Sequence, residues 1–367
     1  MNISSDLSNY APEFEIFTSK QTVPDLKIRR SAVSVQINEK ISEAGEYTLV
    51  LSDILDVSKQ EFMWLDNPVL EVGNDVRIDL GYAISKLEKI IEGPIKAIST
   101  SGFTSDIPKL TLVGYDKSHQ LLTQKSTSEG SPYPDKNDTF SDIAEKIAEE
   151  AGLEHLVHKT KVYGSQIIKK PETYRDFLVD AAKRVGFEFF ITRNKLYFVN
   201  PTDLEKSFPG MVFEWGKNLM QFTPTINASE LVTGVEVRGL LPNSKEEVAV
   251  RANYDDGQSR VKWINAGEIA RKLNNENENI KTISDRSFSS KEEAEDLAKA
   301  ELERINRTLV SGSCTIIGNP LLTPGMTVDL RNVGKRFSGI YYITSVTNTI
   351  DSNGYITTFD VRRSFIG

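Results

Sequence analysis

The chain has one cysteine in 367 residues, Cys314, so no internal disulfide can form and a reducing compartment suits it. That residue sits in the alternating stretch TLVSGSCTIIG and reads as a buried structural thiol. Histidines number three: His119, His155 and His158. EHLVH sets two of them beside Glu154 near the end of a predicted helix. No HExxH motif, third histidine or cysteine accompanies them, so they read as capping or surface histidines and no metal site is expected. Apolar runs never approach the ~20 residues of a membrane span. The opening MNISSDLSNYAPEFEIF lacks a basic stretch followed by an apolar core, so no secretory signal is read. Positive charge is not in excess: the formal net charge is -8, which counts against a sequence-reading nucleic-acid binder.

Nucleotide and hydrolase signatures are missing too. There is no GxSxG elbow, Walker loop or dinucleotide glycine pattern. VGKRFSG holds a Gly-Lys pair without a phosphate cradle and reads as a basic hairpin turn. Carboxylates are abundant, as in AEKIAEEAGLE and KEEAEDLAKAELE, but they occupy solvent-facing helical positions among lysines. No catalytic residue, cofactor or metal is expected.

What is there is period-two patterning. At about 150 residues per domain, the length suggests two or three domains. Up to about residue 116, DLKIRRSAVSVQI, GEYTLVLSD, DVRIDLGY, KIIEGPIKAIST and PKLTLVGYD alternate, while LSDILDVSKQEFMWL reads as a short helix or turn. Short strands at this spacing suggest a barrel or sandwich. Residues 117–138 lose all pattern and read as linker. The period then becomes helical. Thr139 caps a stripe of Phe140, Ile143, Ile147 and Ala151 that Gly152 stops. Thr173 caps a second, Tyr174, Phe177, Leu178, Ala181 and Val185, that Gly186 ends. FEFFITRNKLYFVNP adds a hairpin. Strands return from 205, interrupted by the helices NAGEIARKLNN and SSKEEAEDLAKAELERINR. The longer helix has Ser289 and Glu292 at capping-box spacing, and both helices are expected to pack on the second sheet. The fold class is therefore mainly β (α+β), divided 1–125, 126–204 and 205–367.

Two stretches repeat a strand entrance. VGNDVRIDLGY and PGMTVDL each run Gly-x-x-Val and then alternate. Each is followed by a loop, a glycine (Gly93 or Gly339) before an Ile-rich strand, a hairpin and an exit strand. Gly73, Gly93, Pro324, Gly325 and Gly339 are the predicted turns of this module. Two copies of one module and a chance likeness of two three-stranded meanders both fit the sequence. Duplication has a consequence: three copies of such a chain present six like modules in one ring, which resolves a mismatch between threefold and sixfold partners.

NPLLTPGMTVDLRNVGKRFSGIYYITSVTNTIDSNGYITTFDVRR, ASELVTGVEVRGLLPNSKEEVAVRA and ETYRDFLVDAAKRVGFEFFITRNKLYFVNP resemble the late control gene D proteins, the baseplate hub subunits of contractile tails. The same hub forms the N-terminal part of VgrG-like spike proteins and occurs in contractile injection systems. The resemblance spans most of the chain. It implies two tube-protein-like β-barrels flanking a small α+β insertion, assembled as a homotrimer. Implied partners are a tail tube or tube-initiator protein, a central spike and inner baseplate proteins. VgrG-like proteins continue into a spike, whereas this sequence stops at Gly367, so a separately encoded spike held non-covalently is expected.

The implied role is structural and non-enzymatic, in a virion or injection-system particle assembled in the bacterial cytoplasm. Phage, tailocin and injection system use the same hub. A tail-associated cell-wall hydrolase and a receptor- or glycan-binding tail protein are the competing classes. Trp64, Trp215 and Trp263 are the candidate interface anchors.

Overall fold

A computed structural model describes residues 11–18, 23–41, 43–83, 85–102, 107–118, 139–161, 173–205, 209–241, 246–254, 264–288 and 290–367. The chain is mainly β. Its first part holds β1 (Pro12–Thr18), helix α1 (Leu26–Ser31), β2 (Ala32–Lys40), β3 (Glu46–Ser52), the two-residue strands β4 (Leu55–Asp56) and β5 (Glu61–Phe62), β6 (Asp75–Tyr82), β7 (Glu88–Ser101) and β8 (Lys109–Tyr115). The middle holds α2 (Phe140–Glu150), β9 (Glu154–Val157), α3 (Tyr174–Val185), β10 (Glu188–Thr192), β11 (Lys195–Val199) and α4 (Pro201–Glu205). The last part holds β12 (Met211–Glu214), β13 (Gln221–Ile226), β14 (Gly234–Leu240), β15 (Glu247–Asn253), β16 (Ile264–Asn265), α5 (Ala266–Leu273), β17 (Ile280–Ser287), α6 (Lys291–Asn306), β18 (Val310–Ile317), β19 (Thr327–Arg331), β20 (Gly339–Asp351), β21 (Gly354–Arg363) and β22 (Phe365–Ile366).

Twelve strands form one sheet, ordered β1-β6-β7-β8-β3-β2-β20-β21-β18-β13, with β19 joining β20 and β12 joining β19. Numbering the strands of each half from one to six, both halves run 2-3-6-5-4-1 across the sheet: β2-β3-β8-β7-β6-β1 and β13-β18-β21-β20-β19-β12. All five strand contacts recur in each half, and four of them are antiparallel in both. Only the outermost differs in direction, β1 lying antiparallel to β6 and β12 parallel to β19. Chance meanders do not reproduce a six-strand order with crossovers, so the repeat is real.

Local chemistry agrees. Gly73 and Gly325 both adopt positive φ, at 97° and 86°, where glycine carries no Cβ penalty. The Gly73 N–H donates to Ile95 O at 2.9 Å, and the Ile95 N–H donates to Asn74 O at 2.9 Å. Gly325 donates to Ile343 O at 3.0 Å, and Ile343 donates to Met326 O at 2.9 Å. The following long strand carries a bulge in each copy, between Ile95 and Ala97 and between Ile343 and Ser345.

Among the described residues, four apolar cores can be distinguished. One is built on Ile16, Ile37, Tyr47, Leu49, Ile78 and Leu112, and takes Ile350 and Tyr355 from the last hairpin. A second uses Cys314, Val328, Leu330, Tyr341, Val346 and Phe359. The α2/α3 stripe on β10-β11-β9 makes the third, with Phe140, Ile143, Phe177, Leu178 and Phe198. Thr139 caps α2 in a capping box with Asp142. Thr173 caps α3, which ends on left-handed Gly186. The fourth core lies between α6 and the sheet β15-β14-β17.

Two expectations need correction, and one strand went unread. EHLVH lies just past the end of α2, where Glu154–Val157 forms a strand paired in parallel with β11, because the hairpin beside it offers an unpaired edge. Only α5, through Ala266 and Ala270, packs into the second main core; α6 covers a separate small sheet. The cap of α6 is Ser290, whose hydroxyl accepts from Glu293 N at 3.2 Å, while Ser289 lies outside the described residues.

Candidate functional site

No described group of three or more His, Cys, Asp or Glu residues is disposed to hold a metal ion. The features that stand out are surfaces: two open sheet edges, an apolar hairpin, and the seam where the two copies join.

At the seam, β2 pairs antiparallel with β20, from Val35 opposite Ile350 to Lys40 opposite Ser345. This contact makes one continuous sheet from two copies. Glu39, opposite Val346, is 4% exposed, and its carboxylate accepts from the Thr192 hydroxyl on the β10 end. Arg193 Nη2 stands 3.8 Å away and donates to Leu322 O at 2.9 Å. Burial holds the Glu39 carboxyl above the usual carboxylate range against the pull of Arg193 and Thr192. One of its oxygens, Oε2, has no hydrogen-bond partner. The seam is thus tied to the middle module through the Glu39–Thr192 hydrogen bond, with Arg193 beside it.

The edges are open where the pattern of the sheet ends. β13 pairs only with β18, and Gln221, Thr223, Thr225 and Ile226 are exposed. On β7, residues 96–101 pair with β8 on one side only, and Lys96, Ala97, Ser99, Thr100 and Ser101 are exposed. No other described strand covers either edge.

The segment 53–65, which was expected as a short helix or turn, is a tight hairpin with an apolar face. Ile54, Leu55, Val57, Met63 and Leu65 are exposed large hydrophobics. The hairpin is held by one buried carboxylate: Asp53 accepts from Ile54 N at 2.9 Å, Trp64 N at 3.0 Å and Leu65 N at 3.0 Å. Trp64 is 3% exposed and pins the hairpin to the first core. An exposed apolar cluster on a pre-set backbone is a docking surface in physical terms.

A cleft of about 850 Å³ opens beside the seam, lined among others by Lys40, Glu188, Glu301, Arg304, Asp360 and Arg362. Its charges are partnered. Glu188 accepts from Tyr342 and Arg362, and Glu301 accepts from Lys281 and Arg304. Burial works against the ionised Glu301, but those cations win and hold its carboxyl low. Such pairs knit the cleft walls together.

The turn residues of the repeat fall in different places. Gly73, Pro324 and Gly325 form the twin turns. Gly93 does not lie at a turn: it sits within β7, opposite Val76, and a Cβ there would stand 1.9 Å from Tyr115 O. Gly339 opens β20 at φ 129° opposite Leu330. The shared bulge makes Tyr341, not Gly339, the counterpart of Gly93. Of the candidate anchors, Trp64 is spent in the core, Trp215 is 53% exposed beside β12, and Trp263 lies outside the described residues. His158 accepts from Asn200 N at 3.2 Å, and His155 is exposed on β9; His119 lies outside the described residues. Cys314 is fully buried and burial pushes its thiol up, as a structural role requires. The buried Glu39 at the seam and the apolar hairpin had no motif to announce them.

Residues 12–352 match the family model described as the Alg8 N-terminal domain. No curated protein matches the sequence. The fold is similar to that of a tail protein from Neisseria meningitidis, at TM-score 0.68 and 13% identity over 96% of this chain and 97% of that one. It is similar to the same degree, TM-score 0.68 and 15% identity, to the 43 kDa tail protein of prophage MuSo2 from Shewanella oneidensis, covering 96% and 98%. The E. coli c3393 protein, described as a component of the type VI secretion system with structural similarity to T4 bacteriophage tail proteins, follows. Its TM-score is 0.54 and its identity 13%, over 95% of this chain and 76% of that one. At these identities the likeness is one of fold.

Proposed function

The chain belongs to the Alg8 N-terminal domain family, and from its likeness in fold to tail proteins we propose that it is the structural baseplate hub of a contractile tail or injection system. One observation carries the reading: the same six-strand order occurs twice in one chain, with both copies in a single sheet. Each copy is read as a tube-protein-like β-barrel, the first within 1–125 and the second within 205–367, with 126–204 as the insertion between them. Three chains then supply six modules. They stack on a sixfold tail tube or tube-initiator protein on one side and hold a threefold spike on the other.

In this reading the work is done by interface area and not by bond chemistry. The apolar hairpin 53–65 is a contact for an axial neighbour or an inner baseplate protein. The particle, whether virion or injection apparatus, is the place of action. Among the described residues no helix is long and apolar enough to cross a membrane.

Mass in solution together with symmetry by electron microscopy tests the proposal. A trimer with threefold symmetry and six similar lobes is expected. A ring of any other order overturns it, and clearing of cell-wall material in a zymogram by the purified chain overturns the non-enzymatic role.

A further inference from the structure

We infer that the cleft beside the seam takes an acidic segment of another protein, one per chain, with carboxylates and apolar side chains on the same stretch. Three parts of the fold enclose it. The floor is the seam itself, where Lys40 faces Ser345 and Ile41 donates to Thr344 O. One wall is the end of α3 with β10, and the other is α6 with β17. The walls meet at Gly186, where a Cβ would lie 2.6 Å from Ala300 Cβ. Ion pairs tie them, Arg184 to Glu293 at 3.3 Å and Lys161 to Asp296 at 2.8 Å. The first copy has no counterpart of α6, because only five residues separate Lys40 from Glu46. The cleft is therefore present once in each chain.

Its charge is opposite to that of the molecule. Lys40, Lys183, Lys281, Arg304, Arg307 and Arg362 line it in a chain of net charge -8. Three carboxylates stand against them, Glu188, Glu301 and Asp360, and they do not use up the cations. Glu301 alone holds both Lys281 at 3.0 Å and Arg304 at 2.7 Å. Glu188 takes Arg362, and Asp360 accepts from the Ser345 hydroxyl at 2.7 Å. Lys183 is exposed and pairs with no described carboxylate. Surplus positive charge inside a cleft draws an anion more strongly than the same charge on an open surface, because the walls focus the field and keep part of the solvent away.

The lining also chooses among anions. Ile41, Val179, Phe187 and Ile283 are only partly buried where they line it. Covering them is favourable only for a ligand with apolar groups of its own, which inorganic phosphate lacks. A phosphodiester chain needs a run of cations, and here Glu188, Glu301 and Asp360 interrupt it. An extended peptide with alternating acidic and apolar residues sends its carboxylates to one side and its apolar side chains to the other, so it meets both demands. The volume of about 850 Å³ is that of a ligand cleft and not of a single-ion site. That the segment belongs to another protein of the particle rests on the hub reading above; its acidic and apolar character rests on the lining alone.

The test uses the full chain and a fluorescein-labelled peptide of alternating Glu and Leu, read by fluorescence anisotropy. Saturable binding of one peptide per chain is expected, weakening as salt rises. The same peptide with Gln for Glu, and another with Ser for Leu, should bind poorly. Lys183→Glu alters an exposed side chain, and Lys281→Gln leaves Arg304 on Glu301, so the double variant should fold as the natural chain does. It should bind the Glu–Leu peptide at least about tenfold more weakly. Lys299→Glu makes the same charge change as Lys183→Glu, on an exposed α6 residue outside the lining, and should leave binding unchanged. Absence of saturable binding, undiminished binding by the double variant, or equal weakening by Lys299→Glu overturns the inference. So does equal binding of the Glu–Ser peptide or full displacement by inorganic phosphate, either of which would make the cleft a small-anion site. A chain that forms a trimer by native mass spectrometry but fails to bind overturns this inference with the hub reading intact. A chain that binds and never forms a trimer does the reverse.

Discussion

Ile95 and Ile343 occupy one position in two strands. Each carbonyl receives the N–H of a left-handed glycine, Gly73 at 2.9 Å and Gly325 at 3.0 Å, and each precedes a single-residue bulge. That shared detail lies below the level of strand order, and it ties the two halves of the sheet to one structural plan.

The twin turns are not twin environments. A Cβ at Gly73 meets nothing within 4 Å, whereas one at Gly325 would lie 2.5 Å from Phe190 Cζ. Gly73→Ala should cost about 1–2 kcal/mol, the penalty of a left-handed backbone alone. Gly325→Ala should cost clearly more, because the β10–β11 hairpin must also shift. Denaturant unfolding of both variants checks the order.

Gly93→Ala is the harsher substitution. Its Cβ would stand 1.9 Å from Tyr115 O and 2.8 Å from Lys117 N, both backbone atoms that cannot rotate away. Tyr47 also donates its hydroxyl to Gly93 O at 3.2 Å. A loss above about 4 kcal/mol is expected, at the far end of single-substitution effects, and would be read as failure to give a cooperative melt.

The seam carries a pH dependence. Burial raises the Glu39 carboxyl above its unfolded value. The stability this group contributes is therefore complete below the unfolded pKa and is lost as pH rises through the folded one. Glu39→Gln should melt higher than the natural chain at pH 8 by the worth of an unsatisfied buried group, about 1–3 kcal/mol. The difference should vanish towards pH 4. Thermal melts of both chains across that range decide it.

Arg193 is the partner in that effect. Its removal as Arg193→Met leaves Glu39 buried without a counter-charge and takes a donor from Leu322 O. A cost of about 3 kcal/mol is expected at pH 8. It should shrink in the Glu39→Gln background, and a double-mutant cycle by chemical denaturation measures that coupling.

Val57→Lys and Met63→Lys alter exposed hairpin residues, 78% and 45% accessible, that contact solvent. Stability should change by no more than about 0.5 kcal/mol. Incorporation into assembled particles should fall, as scored by the amount of this chain co-purifying with them.

Much of the fold was legible because caps and turns are local chemistry. Thr139, Thr173 and Gly186 do what their residue types dictate, and the entrances at Gly73 and Gly325 stand out by their glycines. The match of Gly93 to Gly339 failed for a physical reason: a period-two pattern is unchanged by a slip of two residues, and only the pairing partners remove the ambiguity. The strand in EHLVH went unread because β11 supplies its partner edge from a distant part of the chain. An amphipathic stripe reports that α6 has a buried face but not which sheet it covers. The seam is the extreme case, since β2 and β20 meet across most of the sequence and no local signal marks either strand for the other.

Between strands two and three, the first copy has only five residues between Lys40 and Glu46, while the second departs at 227, builds the β14–β15–β17 sheet with α6, and returns at 309. A ring of identical small subunits must grow such an appendage at every position or at none. Fusing two units frees one to elaborate while its sibling stays plain, so ornament can arise at alternate places around an axis. Partners that dock there are counted by the chain, not by the module.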